Sequence, residues 1–323
     1  MLEFHKNILK IDAEKVCDTI CTQIRSQLKN DLHKTGAVVG ISGGIDSSVV
    51  AALCVKAFGP KRVFGVMMPE KDSADESKSL AEVLADHFGF DTTLESIYKG
   101  CEGLGVYDKR DEAIKQVFPD YKPTWKSKII TPTNLLEKET FNFFTVVVET
   151  DSGEIREERL PLKPYLQVVA ATNYKQRLRM TTLYYHAEKR NWAVMGTGNK
   201  DEHMQGFFVK YGDGGTDLKP IAHLYKIQVF QLAEYLGVPN EIINRIPTTD
   251  TYSSEVTQEE FFYGLDFYRM DMLWHAMENS VPKEKAAEVL DLTVEQVERA
   301  FYNIQRKITA TEYLRMEPLE IKG

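Results

Sequence analysis

The sequence predicts an α/β protein, a doubly wound parallel sheet flanked by helices, with an inserted β-hairpin and a helical C-terminal part. Three observations predict it. Apolar runs at residues 37–41, 62–68 and 192–197 are too short for helices and read as strands buried on both faces. Segments with apolar residues at helical spacing separate such runs, and this alternation places the strands in parallel. Between residues 121 and 165 the period changes to two, around a turn signal at Asp151-Ser152-Gly153.

Residues 11–32 carry Ile11, Val16, Ile20, Ile24 and Leu28 on one helical face. The first strand, 37–41, is broken by Ser42-Gly43-Gly44, and Asp46-Ser47-Ser48 opens a helix that runs to 58. The strand at 62–68 is closed by Pro69; a helix at 74–88 and a strand at 91–97 follow. The hairpin is expected from 141–149 and 154–160. Helical spacing resumes over 168–190, before the strand that ends near Gly196. A helix over 224–236 is closed by Gly237 and Pro239. Helices at 261–278, 283–290 and 294–308 form a tail over about 261–318. With no repeat, low-complexity tract or linker, the 323 residues read as one domain.

Composition narrows the function. A formal net charge of −8 gives no electrostatic footprint for nucleic acid. Cys17, Cys21, Cys54 and Cys101 form no zinc-like or C-x-x-C spacing; Cys17 and Cys21, four apart on a helix, read as buried reduced thiols, and nothing points to an oxidising compartment. No apolar run approaches the ~20 residues of a membrane span, and charges run through the first thirty positions, so a cytoplasmic protein is expected.

The strongest chemical signal is Gly40-Ile41-Ser42-Gly43-Gly44-Ile45-Asp46-Ser47-Ser48, between a buried strand and a helix start. A helix N-terminus offers unpaired N–H groups and partial positive charge, which attract anions. Two glycines let the backbone approach a phosphate, and the serine hydroxyls add donors. Asp46 would repel phosphate directly but suits a Mg²⁺ beside it. The pattern lacks the lysine of G-x-x-x-x-G-K-[ST] and is not G-x-G-x-x-G. It resembles the S-G-G-x-D-S loop of ATP pyrophosphatases, which cleave ATP between its α and β phosphates and adenylate a substrate.

A second block, residues 196–220, reads G-T-G-N-K-D-E-H-M-Q-G-F-F-V-K-Y-G-D-G-G-T-D-L-K-P. Through this block the chain resembles ammonia-dependent NAD synthetases, from about 40 to 318, with an insertion near 121–165. The resemblance implies ATP-dependent amidation of deamido-NAD by ammonia, giving NAD, AMP and pyrophosphate, in a homodimer. It implies an ATP site of Gly40, Ile41, Ser42, Gly43, Gly44, Ile45, Asp46, Ser47, Thr197, Lys226 and Thr248. Asn173, Arg177, Lys210, Asp213 and Asp217 match positions for deamido-NAD, and Asp46 and Glu202 match those for Mg²⁺. Asp46, Asp213 and Lys226 are the catalytic candidates. The chemistry of these residue types agrees. Glu202 brings a second carboxylate to the metal, and Lys210 and Lys226 supply point charges for phosphates. Gly212, Gly214 and Gly215 allow a flexible or left-handed turn around Asp213. His203 and His223 read as structural or solvated, and His186 as a helix-surface residue. Residues 249–260 resemble a closing loop.

Two departures stand out. Tyr313-Leu314 occupies the place of a usual His-Lys pair, and Gln176 stands where a small residue is usual. They leave open a related adenylating amidotransferase acting on another carboxylate, and a non-catalytic ATP- or dinucleotide-binding homologue. The synthetase pattern uses nearly the whole chain and leaves no room for a glutaminase domain, so free ammonia is the expected nitrogen donor.

Overall fold

The computed structural model describes residues 4–73, 75–130, 144–248, 252–254 and 256–321. Residues 249–251 and 255 of the expected closing loop, and 141–143 of the expected hairpin, lie outside the described residues. Along the chain come α1 (Ala13–Ser26), β1 (Ala37–Gly40), α2 (Ile45–Phe58), β2 (Val63–Met67), α3 (Asp75–Phe88) and β3 (Asp91–Leu94). Helices α4 (Tyr98–Gly103) and α5 (Val106–Lys115) lead to β4 (Lys126–Ile130), β5 (Thr145–Glu149) and β6 (Ile155–Arg159). The long α6 (Leu162–Arg190) precedes β7 (Ala193–Met195), α7 (Lys200–Gln205), α8 (Lys226–Leu236) and α9 (Asn240–Ile243). The tail holds α10 (Phe267–Glu278), α11 (Lys283–Leu290), α12 (Val294–Ala310) and α13 (Glu312–Arg315).

The main sheet is parallel, in the order β3-β2-β1-β7. Its two central strands are buried on both faces, as their unbroken apolar runs require. Ala37 and Val39 face one layer, made by α1, α2, α3 and α8. Val38, Phe64, Val66 and Val194 face the other, made by α4, α5 and α6. Val38 and Val39 are wholly buried, and each such side chain contributes about 2 kcal/mol of burial free energy. The helix expected over 11–32 is capped by the Asp12 carboxylate on the Lys15 amide, and gives way to a wide turn at Gln27–Asp31.

The inserted region differs from the expected hairpin. It is a three-stranded antiparallel sheet, β4-β5-β6, whose first strand pairs Lys126–Ile130 against Thr145–Glu149. Lys126-Ser127-Lys128 is too polar and short to be read as a strand, and its partner is remote in sequence. Trp125, Ile129, Val146, Val148 and Leu160 form its own core against α5 and the start of α6. The helix expected over 261–278 is also two pieces. Gly264, at φ +70°, ends a wide turn at Glu259–Tyr263, and Asp266 then caps α10. The tail helices bury Trp274 at the centre of a separate core that also takes in Phe4, Leu9 and Tyr225.

Candidate active site

Neighbours β1 and β7 send their following segments to α2 and α7, so the chain diverges beyond their carboxyl ends. Such a switch point is where doubly wound sheets bind ligands. A cleft of about 830 Å³ opens there. Its walls are the loop after β1, the ends of β2 and β7, one face of α6, the 206–216 turn, residues 245–248, and Tyr313-Leu314 of the tail.

The loop after β1 is shaped by its small residues. Gly43 has φ +74°, and a Cβ there would lie 2.6 Å from the Ser77 carbonyl of α3. The Ser47 and Ser48 hydroxyls donate to the Gly44 carbonyl at 3.0 and 2.9 Å, and the Gly44 amide donates to Ser42 Oγ at 3.3 Å. These bonds turn the first residues of α2, with their unpaired amides, toward the cleft.

Asp46 stands in the first turn of α2. One of its oxygens accepts from Asn199 Nδ2 at 2.9 Å and the other from Lys226 Nζ at 2.5 Å. Asn199 also caps α7: its side chain accepts from the Glu202 amide at 3.0 Å, and Glu202 Oε2 accepts from the Asn199 amide at 3.2 Å. One asparagine therefore fixes both carboxylates. Asp46 and Glu202 line the same cleft. Desolvation first, and then the Asp46 charge, push the Glu202 carboxyl up to about 8. Burial alone would lower the Lys226 ammonium, but Asp46 and the neighbouring carboxylates outweigh it and the net shift is upward.

Two carboxylates on one wall form a hard oxygen donor set that suits a divalent cation shared with phosphate oxygens. Among the described residues no cluster of three or more such ligands occurs, so phosphate and water would have to supply the remaining donors. Behind this centre, Asp201 and Asp271 are fully buried and accept the first amides of α8, from Lys226 at 2.8 Å and Ile227 at 2.9 Å. Burial raises both, Asp201 to about 7. They fix the helix end that carries Lys226.

The other end of the cleft holds the expected dinucleotide residues. Asn173 and Arg177 line it from α6, and an Arg177 guanidinium nitrogen donates to the Lys210 carbonyl at 3.4 Å. The Lys210 ammonium donates to the Tyr313 and Met316 carbonyls at 3.1 and 2.7 Å. The departing pair Tyr313-Leu314 thus forms cleft wall and holds a lysine through its backbone. Asp213 accepts the Val209 amide at 2.9 Å and faces the open cleft, where the surrounding protein pushes its carboxyl up to about 6. The left-handed residue of this turn is Tyr211, at φ 59°, rather than a glycine. Gly212 and Gly214 serve close approach instead: a Cβ on Gly214 would lie 2.4 Å from the Phe208 ring, and one on Gly212 would lie 2.9 Å from Gln176 Cβ.

Gly40, Ile41, Ser42, Gly44, Ile45, Asp46, Ser47, Thr197, Glu202, Thr248, Asn173, Arg177, Lys210 and Asp213 are thus brought to one cleft. Gly43 shapes it from behind. Lys226 sits one layer deeper, fully buried, with its ammonium on Asp46. Asp217 lies off the cleft wall; it accepts the Tyr184 hydroxyl at 3.0 Å and the Val194 amide at 2.8 Å, and so holds β7. His186 is buried rather than on the helix surface, and bonds Glu95 at 2.6 Å. Sequence reasoning missed Asn199, whose N-cap spacing to Glu202 was the available signal. It also missed the stacked pair Phe144 and Tyr165, 3.9 Å apart on the cleft wall, because Phe144 reaches the cleft only through the inserted sheet.

A glycine-shaped strand-to-helix turn, two facing carboxylates and a buried lysine at a switch point define an α/β enzyme class that works on nucleotide phosphates. The family model for NAD synthase matches residues 16–117 and 126–318. The chain belongs to the NAD synthase family. It is 45% identical over 314 residues to the NH(3)-dependent NAD(+) synthetase of Rhizobium rhizogenes, covering 97% of this chain and 94% of that one. The protein of the same description from Thermotoga maritima is 32% identical over 266 residues, 80% of this chain and 88% of that one. Solved structures agree in fold. The NMN synthetase of Francisella tularensis superposes with a TM-score of 0.62 at 21% identity, over 97% of this chain and 100% of that one. The NH3-dependent NAD synthetase of Campylobacter jejuni, in complex with nitrate, gives 0.60 at 21% identity, over the same shares.

Proposed function

We propose that this chain amidates deamido-NAD with ammonia at the expense of ATP, releasing AMP and pyrophosphate. The observation that carries the reading is Asp46 and Glu202 facing one cleft at the amide-rich start of α2. A carboxylate is a poor acyl donor because its leaving group would be oxide. Attack of the nicotinate oxygen on the α-phosphorus of ATP expels pyrophosphate and leaves an acyl-adenylate. Ammonia then attacks the acyl carbon, and AMP departs with the bonding pair. The loop amides and the Ser42 and Ser47 hydroxyls hold the phosphates, with Thr197 and Thr248 at the cleft's edges. Asp46 and Glu202 would hold a Mg²⁺, which would neutralise charge on the departing pyrophosphate. Lys226 keeps Asp46 in place and adds positive charge behind it. Asn173, Arg177 and Lys210 receive the dinucleotide, while Asp217 holds β7 behind the cleft wall. Asp213, raised toward neutrality, binds ammonium or takes its proton.

We read the chain as one synthetase-like domain, since the family match lies on both sides of residues 118–125. A homodimer is supported by the family resemblance, and by apolar side chains exposed on α6 at Leu162, Leu166 and Tyr185. A cytoplasmic setting fits four buried free thiols, and no described helix is long and apolar enough to cross a membrane.

Pyrophosphate release from ATP, Mg²⁺ and ammonium, with and without deamido-NAD, tests the reading. Release that requires the dinucleotide, with NAD formed one for one, is expected. Equal turnover of nicotinate mononucleotide would move the substrate to the shorter carboxylate, and dinucleotide-independent behaviour would leave only a nucleotide binder. Asp46→Ala is expected to lower release by about a hundredfold or more; normal turnover by that variant would remove Asp46 from the centre.

A further inference from the structure

We infer that the inserted sheet β4–β6 is a positioning element for the ATP end of the cleft, acting through residues 252–254 and 256–263. The inference rests on the function proposed above, and on contacts made outside the phosphate-binding loop. β4 is an edge strand, and edge strands leave a row of unpaired amides and carbonyls. The Ser127 amide of β4 donates to Ser253 Oγ at 2.8 Å, and the Ser127 carbonyl accepts from Ser253 Oγ and from the Ser254 amide, both at 3.3 Å. Ser253 and Ser254 thus satisfy the outward amide and carbonyl of Ser127 on the free edge. On either side of this contact Tyr252 and Val256, 7% and 3% exposed, are buried in the core of the inserted sheet with Ile129, Val146 and Val148.

From that anchor the chain returns to the reacting centre. Thr257 bridges to Thr248, and the Gln258 amide donates to the Pro247 carbonyl at 3.0 Å. Gln258 then reaches Glu202, with Nε2 3.5 Å from Oε1, and Phe261 and Phe262 complete the wall. Phe261 packs on Tyr252 with ring centres 5.4 Å apart, so the anchor and the wall are one unit. Glu202 has its other oxygen in the α7 cap. Its orientation toward a cation therefore depends on what meets Oε1, and the inserted sheet decides where that group stands. Ser127 and Ser253 lie off the cleft wall and act through Tyr252, Gln258 and Phe261, which line it.

The test uses the full-length protein with Ser253→Ala, which removes the hydroxyl on Ser127. Ser253→Thr keeps the hydroxyl, and Glu157→Gln on the outer strand β6 controls for changes to the sheet itself. In Ser253→Ala, amide hydrogen exchange over residues 256–263 should quicken about tenfold. ATP affinity in the presence of Mg²⁺ should weaken, and kcat and KM for ATP should worsen together by about tenfold, as for a misplaced closing segment. KM for deamido-NAD should change little, and Ser253→Thr and Glu157→Gln should behave as wild type. Unchanged exchange at 256–263 overturns the inference, and so does faster exchange with ATP affinity and kinetics intact, which would make the sheet a scaffold alone. If the wild-type protein does not turn over deamido-NAD, the functional reading fails; the exchange and ATP affinity of Ser253→Ala still decide this inference, and unchanged values overturn it.

Discussion

At the scale of single residues, the loop shows which positions are fixed by geometry and which by chemistry. Gly43 is fixed twice, by φ +74° and by the Ser77 carbonyl 2.6 Å from any Cβ. Gly43→Ala is therefore expected to cost about 1–3 kcal/mol of stability or to push α3 off the loop. Denaturant unfolding and ATP affinity would register it, and a variant unchanged in both would show that the loop accommodates a methyl. The glycine spacing made this loop legible in the sequence. The same logic fails around Asp213, over 209–215. The glycines there read as conformational, whereas Tyr211 carries the left-handed angle and the glycines admit Phe208, Val209 and Gln176. Which neighbour presses on a glycine is a tertiary fact that the local pattern does not contain. Lys226 and Asp217 have the same lesson: charged residues in a matching pattern were expected on the cleft, and each is engaged behind it, by Asp46 and by the Val194 amide.

At the scale of elements, strands buried on both faces and the long helices are legible because apolar runs and 3.6-residue periods are local signals, although α6 begins at Leu162 rather than 168 and α1 ends at Ser26 rather than 32. The sequence does not reveal β4, because its partner β5 is remote along the chain, and it reads the helix over 261–278 through Gly264 because apolar residues continue on both sides. The short α7 shows what a small element contributes. Six residues hold little helix on their own, yet its Asn199–Glu202 capping box sets both carboxylates. Asn199→Ala removes the cap, which costs about 1 kcal/mol, and also frees one Asp46 oxygen. The Mg²⁺ concentration for half-maximal pyrophosphate release is expected to rise about tenfold or more, the usual consequence of losing a group that orients a metal ligand. A variant with lower stability and an unchanged Mg²⁺ requirement would confine Asn199 to capping.

At the scale of the whole molecule, parts with apolar cores of their own meet at one cleft: the parallel sheet brings the start of α2 with its first amides, the inserted sheet brings an aromatic wall, and the tail closes the far end with Tyr313 and Leu314. Enclosing acidic groups in this way raises them: Glu202 to about 8, Asp201 to about 7 and Asp213 to about 6, with burial the leading cause in each case. A raised carboxyl means that the folded protein keeps a proton the unfolded chain has shed. The stability this provides is complete below the ordinary carboxylate range and is lost as pH climbs through the folded-state values. Each retained proton adds a slope of up to about 1.4 kcal/mol per pH unit, with the cleft-facing Asp213 contributing less than Glu202 and Asp201. The free protein should therefore lose stability between pH 5 and 8. A cation on Asp46 and Glu202 competes with the Glu202 proton, so its binding strengthens over the same interval and offsets the loss. The rise in Tm produced by Mg²⁺ with ATP should thus be larger at pH 8 than at pH 6. Glu202→Gln should flatten the pH dependence of the free protein and abolish the pH-dependent part of the rise. An equal rise at both values in the wild-type protein would mean that Glu202 does not meet the cation, and the second carboxylate would have to be sought elsewhere on the cleft wall.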